Sequence, residues 1–175
     1  MAPSRVQAAP TFEIVLVEPE IPQNTGNIGR TAAATGCRLH LVHPLGFETD
    51  DKALKRAGLD YWDAVSCREH SSFEACEHAT PGPAWLFSSH ATRPVWDATF
   101  EPGDRLIFGR ESGGVGPVFR DRFVQKHGQD RLLTLPMRPV PGIRSLNLGT
   151  AVAIVVYEGL RQFRVRGIDP FSEGS

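Results

Sequence analysis

Apolar residues occur along this chain in short runs, separated by segments rich in Gly, Pro and charged residues. The run FEIVLV at 12–17 is short and β-branched, and the turn-rich segment EPEIPQNTG follows it, which is typical of a buried strand. Similar runs predict further strands at 38–43, 84–88, 105–108 and 131–135.

Segments with helical spacing lie between these strands. A small-residue pattern at 27–35 is closed by Gly36, whose freedom to adopt positive φ suits the end of a helix. The segment 50–58 begins with acidic and ends with basic residues, the polarity that a helix dipole favours. Further helices are predicted at 72–79 and 117–126. The alternation predicts an α/β fold with a mainly parallel sheet covered by helices on both faces.

The last long element, 146–163, is apolar over most of its circumference until Glu158. A helix of this kind is normally buried on all sides. One side can cover the sheet, but the other side of a terminal helix in so small a domain requires a second covering surface. A second subunit is the simplest such surface, so we expect a homodimer through the C-terminal helix. Complete burial within the monomer is the alternative.

The length and composition are those of one folded domain, with 175 residues, 41% apolar and 22% charged. The formal net charge is −1 and the pI is near 6.6, whereas nucleic-acid-binding domains often have a pI above about 9. Composition alone therefore does not indicate an RNA partner, which would require local basic patches. The candidates for such patches, which could equally be solvated helix faces, are Lys52, Lys55, Arg56, Arg161, Arg164 and Arg166.

The three cysteines, Cys37, Cys67 and Cys76, show no C-x-x-C spacing, and the N-terminus lacks the apolar run of a signal peptide. No apolar stretch approaches the roughly 20 residues that span a bilayer. We therefore expect a cytoplasmic protein without a membrane segment. Cys67, His70, Cys76 and His78 form C-x2-H-x5-C-x-H, which matches no standard zinc pattern, so we predict no metal.

Three loops are candidates for a ligand site, because each follows a predicted strand and is rich in glycine or polar residues. They are NTGNIGR at 24–30, FGRESGGVGP at 108–117 and LPMRPVPGIRSLN at 135–147. In open α/β sheets ligands gather beyond the carboxyl ends of the strands, so the three loops could form one site. The glycines at 108–117 suit either the close approach of an adenosine-bearing cofactor or a tight structural turn.

Two charged residues in these loops have alternative interpretations. Arg30 is either a surface ion pair or a planar fork of donors that holds a phosphate or carboxylate. Glu111 either caps the turn that follows it or orients a substrate.

Three ordered motifs carry a resemblance to a known family. They are N-x-G-x-x-x-R at 24–30, G-x-E-x-x-G at 109–114 and S-L-N at 145–147. In this order and spacing they resemble the motifs of the SPOUT superfamily of RNA methyltransferases. The segments VEPEIPQNTGNIGR and RAGLDYW are similar to those of its TrmL-type tRNA 2′-O-methyltransferases.

The resemblance implies a SPOUT methyltransferase domain at 12–163, between a disordered tail at 1–11 and a C-terminal tail at 164–175. It also implies a deep trefoil knot in the C-terminal part, S-adenosylmethionine as cofactor, S-adenosylhomocysteine as product, and tRNA as the RNA partner. By position, the cofactor contacts would fall on Phe87, Ser88, Gly109, Leu135, Ser145 and Leu146. The catalytic or RNA-side roles would fall on Asn24, Arg30, Glu111 and Asn147.

The implied reaction is methyl transfer to the ribose of the wobble nucleotide, a cytidine or uridine, in the anticodon loop. A guanidinium is effectively never deprotonated in proteins, so we interpret Arg30 as a clamp on the adjacent phosphate rather than as the base. Arg110, Val115, Gly149 and the long loop at 138–144 depart from the usual pattern and bear on substrate fit. The alternatives are the same chemistry at another tRNA or rRNA position, or a non-catalytic RNA-binding or assembly protein.

Overall fold

The computed structural model describes residues 9–49 and 60–171. The strands in these ranges are β1 (Glu13–Val17), β2 (Arg38–Val42), β3 (Cys67–His70), β4 (Ala84–Phe87), β5 (Arg93–Pro94), β6 (Arg105–Phe108) and β7 (Leu132–Thr134). The α-helices are α1 (Pro22–Thr35), α2 (Phe73–Ala79), α3 (Pro117–His127) and α4 (Leu148–Val165). The predicted helix at 50–58 lies outside the described residues.

One sheet contains all seven of these strands, in the order β3-β2-β1-β6-β4-β7-β5. Every pairing between neighbouring strands is parallel. The predicted α/β fold with a mainly parallel sheet is therefore confirmed. The trefoil knot stays a prediction from the resemblance.

The central strand β1 explains how helices come to cover both faces. All five of its residues are buried, and successive side chains of a strand point to opposite faces. Ile14 and Leu16 join one apolar cluster with residues of α1 and α4. Val15 and Val17 join a second cluster, which includes Cys76 of α2 and residues of α3. The sheet is thus the middle layer of three.

The first helix begins five residues earlier than the pattern predicts, at Pro22 rather than at residue 27. Proline suits the first turn of a helix, because the N–H that it lacks has no partner inside the helix there. The predicted end is confirmed, since Gly36 follows the helix with φ 69° and its N–H bonds to the carbonyl oxygen of Ala32.

The last helix runs from Leu148 to Val165, two residues later at both ends than predicted. Asn147 caps its N-terminus, with the side chain accepting a hydrogen bond of 3.2 Å from the N–H of Thr150. Five of its apolar residues are buried within the monomer, namely Val152, Val155, Val156, Leu160 and Phe163. Ile154 and Tyr157, in the middle of the helix, are 43% and 58% exposed.

Two strands, β3 and β5, were not predicted, and neither contains a run of apolar residues. β3 pairs only with β2 at the sheet edge and has no fully buried residue, and β5 is two residues long at the other edge.

Packing also extends past the expected domain limits. The N–H of Thr11 bonds to the carbonyl oxygen of Gly36 at 2.9 Å, and Ile168 packs against the core. The division into a domain and two tails otherwise stays a prediction.

Two residues of the C-x2-H-x5-C-x-H pattern, His70 and Cys76, lie together with His40 of β2, and one potential ligand atom from each lies within 4.8 Å of the others. His78 is exposed on the same helix as the buried Cys76. His70 Nε2 lies 2.8 Å from His40 Nδ1, and the other nitrogen of His40 lies 2.6 Å from Glu13 Oε2. Both ring nitrogens of His40 therefore already have a partner within hydrogen-bond distance. No helix in the described ranges is long and apolar enough to cross a membrane.

Candidate active site

Three neighbouring strands, β6, β4 and β7, bring predicted cofactor residues to one edge of the sheet. Because these strands are parallel and adjacent, Gly109, Ser88 and Leu135 all follow carboxyl ends that lie side by side. The rings of Phe87 and Phe108 stack here, with centroids 4.8 Å apart and an interplanar angle of 10°. This is the edge at which open α/β sheets bind ligands.

The loop after β6 is a tight turn in its own right. Arg110 and Gly114 exchange two backbone hydrogen bonds, of 3.2 and 2.9 Å. A Cβ on Gly109 would lie 2.2 Å from the carbonyl carbon of Gly114, so no other residue fits there. The close packing of this turn is therefore one reason for a glycine at position 109, whether or not a ligand also approaches it. Gly113 differs, because a Cβ there would meet no atom within 4 Å.

Glu111 reaches back from this loop to the start of α1. Its carboxylate accepts hydrogen bonds from the backbone N–H groups of Glu20, at 2.8 Å, and Ile21, at 3.2 Å. It also accepts one of 3.2 Å from the side-chain amide of Asn24. These bonds go to the start of α1 and not to the turn that follows Glu111, which was one of the two interpretations of this residue. Glu111 instead serves α1, whose N-cap residue Ile21 has no capping side chain of its own.

A second carboxylate, that of Glu20 just before α1, bonds in turn to the loop after β6. Its carboxylate accepts hydrogen bonds from the N–H of Ser112, at 2.9 Å, and from the Ser112 hydroxyl, at 2.8 Å. These bonds lower the pKa of Glu20 below its ordinary value, the Ser112 hydroxyl contributing most. The two loops are therefore joined by a reciprocal pair of carboxylates.

A third loop joins them through Asn147. Its side-chain NH2 donates a hydrogen bond of 3.0 Å to Asn24 Oδ1, while its Oδ1 caps α4. Three of the four predicted catalytic residues, Asn24, Glu111 and Asn147, thus form one hydrogen-bonded chain. We call this chain, together with Glu20 and Ser112, the polar junction. It fixes the loops after β1, β6 and β7 relative to one another.

Arg30, the fourth predicted catalytic residue, lies outside the polar junction. It is six residues beyond Asn24 on α1, or about 9 Å along the helix axis. Its guanidinium carbon lies 4.5 Å from the centroid of the Tyr61 ring. Within the described ranges the exposed Arg30 side chain has no hydrogen bond or ion pair, so the surface ion-pair interpretation finds no support there.

Ser145 and Leu146 end the loop between β7 and α4, directly before the helix cap Asn147. Ser145 is exposed and Leu146 is half-buried. Gly149, just inside the helix, would place a Cβ 3.6 Å from the Cβ of Asn27 on α1. This end of the loop therefore lies beside the first turns of α1.

Sequence reasoning missed Glu20, Ser112 and Tyr61. Glu20 lies in the quoted segment VEPEIPQNTGNIGR and Ser112 lies inside the motif at 109–114, but their contact joins positions 92 residues apart. Tyr61 lies in the segment RAGLDYW that carried part of the resemblance. The resemblance of that segment drew attention to this part of the chain, but it did not indicate that Tyr61 contacts Arg30.

The candidate basic patches are only partly available to phosphate. Arg161 pairs with Glu158 at 2.8 Å, and Arg166 pairs with Glu101 at 2.6 Å. Arg164 is exposed. The other three candidates, at 52, 55 and 56, lie outside the described residues.

Two further features lie away from the predicted site. Burial raises the pKa of Cys37 to about 11, of Cys67 to about 12 and of Cys76 to about 11, so these thiols are protonated at neutral pH. A cavity of about 380 Å³ opens between α2, α3 and the end of β1. It touches Arg110 and Gly114 but none of the predicted cofactor or catalytic residues.

The fold and the site together define a class of protein: a parallel α/β domain with three polar loops joined at the carboxyl edge of its sheet. Within this class, the chain belongs to the SpoU rRNA Methylase family, whose sequence profile matches residues 11–157. The predicted membership in the superfamily of RNA methyltransferases is thereby confirmed.

Individual relatives resemble nearly the whole chain. The tRNA (cytidine(34)-2′-O)-methyltransferase of Polaromonas sp. strain JS666 is 48% identical over 154 residues, which cover 86% of this chain and 90% of the relative. A solved structure that concerns the 2-OH methylation of C/U34 on tRNA is 46% identical, with a TM-score of 0.76 over 89% of this chain and 97% of that one. AviRb of Streptomyces viridochromogenes in complex with AdoMet shares the fold at 24% identity and a TM-score of 0.69, over 91% of this chain and 62% of AviRb.

Proposed function

We propose that this chain transfers a methyl group from S-adenosylmethionine to the ribose 2′-hydroxyl of nucleotide 34, a cytidine or uridine, in tRNA. The observation that carries the proposal is the 48% identity to a tRNA (cytidine(34)-2′-O)-methyltransferase across 86% of the chain. We place the reaction in the cytoplasm, because all three cysteines are free thiols and disulfides are rare in that compartment.

The carboxyl edge of β6, β4 and β7 has the composition that an adenosine-bearing cofactor requires. Phe87 and Leu135 offer half-buried apolar side chains, and Ser88 offers a hydroxyl. The space around Gly113 leaves room for a ligand to approach the backbone. We assign cofactor contacts to Phe87, Ser88, Gly109, Leu135, Ser145 and Leu146. When bound, S-adenosylmethionine supplies a methyl group activated by a positively charged sulfonium.

Arg30 recognises the RNA in this proposal. Because a guanidinium in a protein is effectively never deprotonated, Arg30 is not the group that accepts the proton of the 2′-hydroxyl. Its planar fork of donors matches two oxygens of a phosphate. Arg30 holds the phosphate beside the target ribose and stabilises the negative charge that develops on the 2′-oxygen.

The polar junction supplies positioning rather than proton transfer. Glu111 accepts three hydrogen bonds from the protein, all from residues at the start of α1. Asn24 and Asn147 hold the loops after β1 and β7 against Glu111. Their shared role is to keep the cofactor loops and α1 in one fixed arrangement.

A homodimer through α4 forms part of the proposal. Ile154 and Tyr157 lie three residues apart on one exposed face of this helix, and Val165 continues the face. A partner helix would cover these apolar side chains. Light scattering tests the dimer, and Tyr157→Glu is the variant expected to convert it to monomers.

The decisive experiment incubates the protein with labelled S-adenosylmethionine and bulk tRNA and maps the methylated nucleotide by mass spectrometry. Label on the ribose of nucleotide 34 is the expected result. Label on a base would overturn the reaction type, and label on the ribose of another nucleotide would overturn the substrate. Heat-denatured protein serves as the control.

A non-catalytic RNA-binding or assembly protein is the remaining alternative, and calorimetry with S-adenosylmethionine distinguishes it. The proposed enzyme binds the cofactor without RNA, whereas an assembly protein that has lost turnover shows no heat of binding. A variant with Leu135→Asp provides the matched control, because it places a charge among the assigned apolar contacts.

A further inference from the structure

We propose that Tyr61 is the positioning residue for Arg30, and that it holds the guanidinium by its face so that all of its donors remain free for a phosphate of the substrate RNA. The inference rests on the proposed role of Arg30. The observation behind it is the stack of Arg30 on Tyr61, with 4.5 Å between the guanidinium carbon and the ring centroid.

The geometry of a guanidinium makes this arrangement useful. Its five N–H groups point outward in the plane of the group, whereas an aromatic ring is attracted to its face. An ion pair or hydrogen bond would occupy some of the donors, but a stack occupies none. Within the described ranges, Arg30 has no other polar partner. It is therefore held and yet able to bind an anion in a bidentate manner.

Tyr61 is itself fixed to the same helix. Its hydroxyl donates a hydrogen bond of 2.8 Å to the carbonyl oxygen of Gly26, one helical turn before Arg30. The side chain thus spans one turn of α1, with its hydroxyl at one end and the guanidinium on its ring. Tyr61 also packs partly buried against the main apolar cluster, so its ring does not move freely.

Trp62 and Gly29 hold the backbone of this tyrosine close to α1. A short 3₁₀ turn at Trp62–Ala64 follows Tyr61, and the N–H of Ala64 bonds to the carbonyl oxygen of Tyr61 at 2.9 Å. A Cβ on Gly29 would lie only 2.8 Å from the Trp62 ring. The absence of a side chain at position 29, next to Arg30, therefore permits the approach that brings Tyr61 under the guanidinium.

The test is a double-mutant cycle between Tyr61→Leu and Arg30→Ala, read as single-turnover methylation of tRNA and as tRNA affinity. Tyr61→Leu removes the ring face, and we expect a loss of about 2- to 30-fold, the range that cation–π contacts span from exposed to desolvated sites. The affinity for S-adenosylmethionine should not change. In the Arg30→Ala background, Tyr61→Leu should cause no further loss.

Two further variants separate the ring from the hydroxyl and from folding. Tyr61→Phe keeps the ring and loses only the bond to Gly26, so it should retain activity within about twofold, since one neutral hydrogen bond contributes little net stability. Fluorinated phenylalanines at position 61 keep the shape of the ring but weaken its attraction for a cation, so activity should fall with each added fluorine even if Tyr61→Leu does not fold.

Three results would overturn the inference: full activity of Tyr61→Leu, an equal loss in the Arg30→Ala background, or no response to fluorination. Failure of the proposed function would give results that differ from these three. If methyl appeared at another nucleotide, the cycle would still be measurable on that product. If Arg30→Ala alone were fully active, the role of Arg30 would fail, whatever the result at Tyr61.

Discussion

The polar junction and the Arg30 stack lie two helical turns apart on α1, and they use their polar groups in opposite ways. In the polar junction each side-chain carboxylate and amide bonds to the protein. The guanidinium carbon of Arg30 lies 4.5 Å from the centre of the Tyr61 ring, and within the described ranges its N–H groups make no hydrogen bond or ion pair with the protein. Residues that motif reasoning groups as catalytic therefore divide into one set that fixes loops and one residue left free for a ligand.

The largest effect on turnover is expected from Arg30→Ala, which removes the proposed phosphate clamp. Turnover should fall by about 100-fold or more, as when one preorganised donor to a developing oxyanion is removed. The free energy of unfolding should stay within about 0.5 kcal/mol, because the side chain is exposed. Single-turnover methylation and urea denaturation measure the two quantities.

Arg30→Lys is the matched control for the bidentate clamp. Lysine keeps the charge but lacks the planar fork, so a large loss of turnover should persist while the cofactor affinity is retained. Full activity of Arg30→Lys would contradict a clamp of this kind.

The next effect is expected in the polar junction, from Glu111→Ala. The N–H groups of Glu20 and Ile21 and the amide of Asn24 lose their shared acceptor. We expect a loss of about 0.5–2 kcal/mol in the free energy of unfolding, the range measured when the acceptor that caps a helix N-terminus is removed. Urea denaturation measures it, with the exposed Glu48→Ala as the control. Equal stability of the two variants would contradict the capping role of Glu111.

A smaller effect separates the two bonds of Asn147. Asn147→Ala removes both the cap on α4 and the link to Asn24, whereas Asn147→Asp retains the capping oxygen and loses only the link. The alanine variant should lose about 1 kcal/mol more than the aspartate variant, the usual contribution of an N-cap. Thermal denaturation of the pair gives this difference, and its absence would show that the link to Asn24 is the more important of the two.

The smallest effect concerns protonation of Glu20, whose pKa is lowered by the hydrogen bonds from Ser112. A lowered carboxyl pKa adds stability that is present above the ordinary glutamate value, about 4.3, and is lost as the pH falls through the lowered value. Ser112→Ala should raise the pKa of Glu20 toward the ordinary value. Carbon-detected NMR titration measures it, and an unchanged pKa would contradict the reciprocal contact.

The elements that could be predicted from the sequence are those whose signal is local. β1 is recognisable because four of its five residues are apolar and it lies in the interior of the sheet. β3 is not, because an edge strand with exposed Arg68 and Glu69 shows no apolar pattern. Its place in the sheet depends on pairing with β2, which no local pattern encodes.

The start of α1 is a clearer example of a feature that no local sequence pattern encodes. A local N-cap would have marked it, but the groups there are satisfied by Glu111, 90 residues away in the chain. Pro22 was a usable local signal for the first turn. For the site, the motifs named Asn24, Glu111 and Asn147, which the structure joins by hydrogen bonds, while their role in catalysis stays a prediction. That Arg30 stands apart on Tyr61 follows only from the three-dimensional structure.

The reciprocal contact between Glu20 and Glu111 has a consequence for engineering this protein. A loop grafted in place of 109–116, for instance to accept a different nucleotide, would leave the first helix uncapped unless it carried an acceptor at position 111 and donors at position 112. The two loops should therefore be exchanged together, as one cassette. In a library that randomises either loop alone, most variants would lose the cap on the first helix, and few would differ only in specificity.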